Sequence, residues 1–122
     1  LGSGVLTGKY NRDAETRGRA TLRDQIRDRD LGLAAEVVEL AEKLGHTPAQ
    51  VALNWVRQGQ GVIIPLVGAR TREQLDDNLG CLGFELDADD KARLDAVSHI
   101  ELGFPHDFLA QFRTSSILNH RA

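Results

Sequence analysis

Apolar positions along the chain change period several times, and each change marks an element. Leu33, Val37, Leu40, Ala41 and Leu44 recur at helical spacing, which predicts an amphipathic helix over residues 31–44 that Gly45 stops. Thr47-Pro48-Ala49-Gln50 pairs a capping box with proline at the first helical position. A second helix is therefore predicted to about Gln58, with Val51, Ala52, Trp55 and Val56 on its buried face. Trp55 at that spacing reads as core. Gly59-Gln60-Gly61 turns the chain into Val62-Ile63-Ile64, a β-branched run bounded by Pro65 that predicts a buried strand. Gly68-Ala69-Arg70 follows, then Thr71 and Gln74 as a second capping box, so a helix is predicted over residues 72–82. Beyond Gly83-Phe84-Glu85-Leu86, Asp87 caps a last helix over residues 88–98, with Leu94 and Val97 facing inward.

The two ends lack a period. Residues 1–10, LGSGVLTGKY, hold three glycines and read as a loop or turn. Their GxxxGK ending departs from a nucleotide-triphosphate P-loop, which needs Gly where Ser3 stands and Ser or Thr where Tyr10 stands. Residues 11–30 interleave arginines with aspartates and glutamates and have no aromatics among them. That mixture predicts a solvated loop followed by a short helix around Leu22 and Ile26, rather than a nucleic-acid stripe. From His99 onward, Gly103, Pro105, Phe104, Phe108 and Phe112 predict an irregular segment packed by aromatics.

One strand cannot satisfy its own backbone N–H and C=O groups, so the pattern predicts a portion of a larger unit. The chain of 122 residues contains no methionine and opens at Leu1 inside a glycine-rich phrase, which supports the same expectation. Tag removal or N-terminal processing would give the same opening. Charged residues make up 27% and the net charge is −3, a globular balance without the basic field that nucleic acid requires. No apolar run approaches the roughly 18 residues of a membrane span. The single Cys81, late in a helix beside leucines, reads as a small buried hydrophobe and fits a reducing, cytoplasmic setting. His46, His99, His106 and His120 have no metal-ligand spacing and read as structural or surface residues.

Residues 62–78 carry the candidate chemistry. A strand passing through a glycine loop into a helix leaves free N–H groups at the helix start, and such a start attracts anions. Arg70 just before it could hold a phosphate through two parallel hydrogen bonds. An ordinary strand-turn-helix connection with a surface arginine accounts for the spacing equally well.

Several phrases in order bear on that choice. LGSGVLTGKY, TPAQVALNWV, VIIPLVGARTREQLDDNLG and LDADDKARLDAVS resemble the aldo-keto reductase family, from after the seventh barrel strand to the terminal helix and tail. The resemblance implies the C-terminal portion of a (β/α)8 TIM barrel, a class whose sites lie at the C-terminal ends of the strands. In isolation the chain should be mostly α-helical with about one strand. It would form one partial domain: a glycine-rich and charged loop (1–30), helices and strand with the cofactor loop (31–98), and a tail (99–122).

The resemblance further implies NADP as cofactor and hydride transfer between NADPH and an aldehyde or ketone. Gly68, Ala69 and Arg70 match the cofactor loop, and Gln74 and Asn78 match positions for the adenine end. Arg70 would meet the adenosine 2′-phosphate, where a permanently charged fork separates NADPH from NADH. Leu1, Gly2, Ser3, Gly4 and Leu6 would line the pyrophosphate, glycine allowing close backbone approach. Phe104 and Phe108 match the tail bordering the substrate pocket. Leu75, Leu79 and Leu82 would pack inward, and Asp77 stands where the family often has glutamate.

The family's catalytic Asp, Tyr, Lys and His all fall upstream of the matching phrases, and Tyr10, the only tyrosine, does not match. No residue is therefore assigned to catalysis, and the chain alone is expected to be inactive. Its expected partner is a carbonyl substrate in the complete enzyme, with no nucleic acid or membrane and with self-association of the chain. A non-catalytic helical module, or an oligomer exchanging the lone strand without cofactor, is the alternative.

Overall fold

A computed structural model of the protein describes residues 2–7, 27–101, 103–106 and 108–109. Leu1, Lys9, Tyr10, the short helix expected around Leu22 and Ile26, Phe112 and His120 lie outside them. The helices are α1 (Asp28–Leu44), α2 (Pro48–Arg57), α3 (Arg72–Leu79) and α4 (Ala88–Ser98). Tight 3₁₀ turns lie at Gly2–Thr7 and Gly80–Gly83, and in the tail, expected to be irregular, His106, Phe108 and Leu109 are helical, with the Leu109 N–H donating to the Pro105 carbonyl at 3.0 Å.

Helix α1 begins at Asp28 rather than at 31. The Asp30 carboxylate accepts from the Arg27 N–H at 3.3 Å, and Asp28 and Asp30 place negative charge at the positive end of the helix dipole. At the other end Gly45 adopts φ 69°, and the His46 N–H donates to the Ala41 carbonyl. This is the left-handed stop that glycine permits. The inner face buries Ala34, Val37, Leu40 and Ala41.

Helix α2 starts as expected. Thr47 Oγ1 accepts from the Gln50 N–H, Gln50 Oε1 accepts from the Thr47 N–H, each at 3.2 Å, and Pro48 occupies the first turn. Its burial differs from the predicted stripe: Val51, Ala52, Leu53 and Asn54 are all buried, Trp55 is half-buried and Val56 is exposed. The cause is position. Helix α2 packs against α1, α3 and both 3₁₀ turns, so it is covered on more than one side. Buried Asn54 is satisfied, with Nδ2 donating to the Phe84 carbonyl at 2.6 Å and Oδ1 accepting from Arg57 at 2.7 Å.

The core joins Val37, Leu40 and Ala41 of α1, Val51 and Ala52 of α2, and Leu86 and Leu94 beside and within α4. Each fully buried branched side chain there contributes about 1.5–3 kcal/mol. A satellite cluster seats Val5 of the first turn against Ala34. Helix α4 starts where Asp87 Oδ1 accepts from the Asp90 N–H at 2.7 Å, and Leu94 faces inward as expected, whereas Val97 is exposed. Buried Asp90 pairs with Lys43 at 2.8 Å, a hydrogen bond that raises Lys43 above its ordinary pKa. Arg93 bridges Glu36 and Glu39 of α1, and Arg29 donates to the Ser98 and His99 carbonyls at the end of α4.

The predicted strand does not form. Residues 62–69 carry no strand pairing, and Val62, Ile64 and Leu66 are 93%, 80% and 100% exposed. No neighbouring strand among the described residues supplies hydrogen bonds to this run, so its β-branched composition has nothing to act on. Leu75, Leu79 and Leu82, expected to pack inward, are exposed, with no described element packed over them to bury them. Helix α3 also ends at Leu79, earlier than predicted, and the chain tightens into the Gly80–Gly83 turn, where Cys81 is buried as a free thiol.

Candidate cofactor-binding site

Glycine geometry shapes the entry to the site. Gly61 takes φ 86°, and Ile63 folds back over Gly59 so closely that an added Cβ would stand 2.6 Å from its Cδ1. The following residues have no regular secondary structure and, Pro65 apart, are exposed through Gly68, Ala69 and Arg70. A Cβ built at Gly68 would meet nothing within 4 Å, so the loop leaves open space beside it.

Helix α3 begins at Arg72 as predicted, with Thr71 as N-cap accepting from the Gln74 N–H at 3.2 Å. The reciprocal half of the capping box is displaced by one residue: Gln74 Oε1 accepts from the Arg70 N–H at 3.0 Å rather than from Thr71. Gln74 thereby fixes the Arg70 backbone and keeps its own Nε2 available. Among the described residues the Arg70 guanidinium has no ion-pair or hydrogen-bond partner, so its fork of donors faces solvent. Arg72, by contrast, pairs with Asp76 at 3.6 Å in an exposed contact that contributes little.

Glu73 lies in the first turn, where its own backbone N–H and then the Thr71 hydroxyl hold its carboxyl below the usual carboxylate range. The helix start therefore stabilises negative charge. Gln74 and Asn78 are four apart on one face of α3, Gln74 exposed and Asn78 half-buried.

Asp77 turns the other way. Its Oδ2 accepts from Thr47 Oγ1 at 3.2 Å, and its Oδ1 and carbonyl accept from Gln50 Nε2 at 3.1 and 2.8 Å. The unspent Gln50 Nε2 donor and the Thr47 hydroxyl proton were the only sequence signals for this contact.

The second half of the predicted site is the first 3₁₀ turn. Gly4 takes φ 92°, Thr7 Oγ1 donates to the Gly4 carbonyl at 2.7 Å, Val5 is buried and Leu6 packs on the core. Gly2 and Ser3 lie in this turn. The turn meets α1 and α2, and α3 meets α2 and the Gly80–Gly83 turn, so α2 is the body that carries both halves. Phe104 and Phe108 are exposed, their rings tilted at 6.1 Å between centroids. His46 stacks on Phe84 at 3.7 Å, a packing role. Among the described residues no group of three His, Cys, Asp or Glu side chains could hold a metal ion, and no helix is long and apolar enough to cross a membrane.

The residues present would suit a phosphate-bearing ligand: an open glycine loop, an arginine fork without a partner among the described residues, a helix start that favours anions, and two amide side chains on one face. The chain is 37% identical over 97 residues to the chloroplastic pyridoxal reductase of Arabidopsis thaliana, covering 78% of this chain and 26% of that protein. It is 37% identical over 105 residues to Protein tas of Escherichia coli, covering 82% of this chain and 30% of that one. Against norsolorinic acid reductase of Emericella nidulans it is 31% identical over 77 residues, 63% of this chain and 20% of that one. It therefore spans less than a third of the length of these relatives. The Aldo/keto reductase family, whose members adopt a (β/α)8 barrel, matches residues 1–99, and the chain belongs to it.

Proposed function

We propose that the chain forms the C-terminal portion of an NADP-dependent aldo-keto reductase, carrying the cofactor-binding half of the site without the catalytic Asp, Tyr, Lys and His. When bound, the nicotinamide cofactor would supply the hydride exchanged with an aldehyde or ketone. The residues of this chain bind and orient it. Arg70 takes the adenosine 2′-phosphate, Gly68 and Ala69 let the backbone approach, and Gln74 and Asn78 hydrogen-bond the adenine end. Leu1, Gly2, Ser3, Gly4 and Leu6 border the pyrophosphate, Leu6 through its backbone because its side chain packs on the core. Phe104 and Phe108 offer exposed rings to the carbonyl substrate. A cytoplasmic location belongs to the same proposal.

The observation that carries the proposal is the exposed Arg70 guanidinium, unpaired among the described residues, at a position whose backbone N–H Gln74 ties to the start of α3. Titration with NADPH, NADH and adenosine 2′,5′-bisphosphate tests it. Binding that depends on the 2′-phosphate supports the assignment, and equal affinity for NADPH and NADH overturns it.

A second reading rests on the exposed apolar side chains of residues 62–67 and of Leu75, Leu79 and Leu82. These would let the chain act as a self-associating helical module. Absence of nucleotide binding in a sample that sediments as an oligomer would favour that reading.

A further inference from the structure

Helix α3 carries Gln74 and Asn78 and begins beside Arg70, yet it has no buried residue. Leu75 and Leu79 are exposed, so apolar burial does not set the rotation of α3 about its own axis. Cys81 anchors the chain just beyond the helix, which fixes one end and leaves its direction open. What joins the helix itself to the folded body is polar. Thr47 Oγ1 donates to Asp77 Oδ2, and Gln50 Nε2 donates to both Asp77 Oδ1 and the Asp77 carbonyl.

We propose that Thr47, Gln50 and Asp77 form a positioning clamp that sets the orientation of α3 and, through it, the nucleotide-binding groups. Asp77 is thus a positioning residue, each of its carboxylate oxygens being held from α2. This rests on reading residues 68–78 as the adenosine-phosphate end of the site. The clamp works through a continuous chain of contacts. The α2 cap holds Asp77, Asp77 fixes the face on which Gln74 and Asn78 lie, and Gln74 Oε1 holds the Arg70 N–H at 3.0 Å. Each clamp donor also belongs to a residue that caps α2, so the start of α2 and the placement of α3 are one device.

Gln50→Glu separates the two duties. A glutamate keeps the oxygen that accepts from the Thr47 N–H, so the α2 cap survives, but it loses the Nε2 donor and sets a carboxylate against Asp77. Adding Asp77→Asn returns a donor opposite that carboxylate. In the 122-residue chain, Gln50→Glu is expected to speed amide exchange in α3 while α1 and α2 exchange as before. It should weaken adenosine 2′,5′-bisphosphate binding roughly tenfold, the loss of about one net hydrogen bond. The double variant should recover part of both.

Unchanged α3 exchange in Gln50→Glu overturns the clamp whatever the nucleotide does. Faster α3 exchange with undiminished affinity overturns the positioning role and leaves the cofactor site standing. Failure of the wild-type chain to bind the bisphosphate overturns the cofactor site itself, and with it the role assigned to the clamp.

Discussion

Gln50 lies where a side chain at Gly80 would have to stand: an added Cβ there would collide with Gln50 Nε2 and approach its Cδ to 3.0 Å. The backbone of Gly80 is right-handed helical, φ −55° and ψ −21°, so conformation is not why glycine suits the position. Space is. In Gly80→Ala the Gln50 amide must swing away, giving up hydrogen bonds that contribute about 1 kcal/mol each. Alanine in a helical conformation returns about 1 kcal/mol. With two such bonds from Gln50 Nε2 at stake, the urea midpoint should fall by the equivalent of about 1 kcal/mol, while amide exchange within α3 quickens. An α3 that exchanges more slowly than in the wild type would contradict this.

Leu94 and Val97 share α4 but not its environment, Leu94 being fully buried and Val97 exposed. Leu94→Ala leaves a cavity against Val37 and Leu40 and should cost about 2–5 kcal/mol of unfolding free energy. Val97→Ala should stay within about 0.5 kcal/mol. Equal losses in denaturant titrations would mean that the inner face of α4 is misplaced.

Signals confined to a few neighbouring residues were readable in the sequence. Gly45 ends α1, Thr47 and Gln50 cap α2, Thr71 caps α3 and Asp87 caps α4, because each needs only groups within one turn. Features that depend on distant partners were not. Val62-Ile63-Ile64 has the composition of a strand but lacks paired neighbours among the described residues. Leu53 and Asn54 are buried because α2 is covered on several sides, which its own periodicity cannot report. The candidate site divides in the same way. The loop, Arg70, Gln74 and Asn78 lie within one local segment, whereas the tie from Asp77 to Thr47 and Gln50 spans about 30 residues.

Glu73 gives the start of α3 a pH dependence with a definite sign. Its carboxyl is held below the usual range by its own backbone N–H and by Thr71. A depressed folded-state pKa contributes stability that is present above the unfolded value, about pH 4, and is lost as pH falls through the folded value. An NMR titration of the Glu73 side chain and the Gln74 amide should inflect below the ordinary glutamate value. Glu73→Gln should abolish the inflection at Gln74. An inflection at or above the ordinary value would remove the carboxylate from the helix start.

Val62, Ile64 and Leu66 lie largely in solvent within one short run, an exposed apolar stretch that favours association. Concentration-dependent self-association is therefore expected in sedimentation velocity. Ile64→Lys with Leu66→Lys should shift the chain toward monomer without changing the unfolding midpoint, since neither side chain is buried. A monomer at every concentration, or a doubly substituted chain that associates as before, would show that these residues make no interface.

Arg70 is where cofactor selectivity should be read. Its guanidinium is exposed and, among the described residues, unpaired, while its backbone N–H is held by Gln74 at 3.0 Å. The group can therefore take a phosphate without breaking an existing ion pair. Arg70→Ala should weaken NADPH by about 1.5–3 kcal/mol, the worth of a hydrogen bond to a charged group. NADH lacks the 2′-phosphate and should be almost unaffected. Arg70→Lys should recover only part of the loss, because an ammonium supplies the charge without the planar fork. The difference should shrink with added salt, as befits an exposed charge pair. Equal losses for NADPH and NADH would place the arginine outside the phosphate contact. Full recovery by lysine would reduce its role to bulk charge.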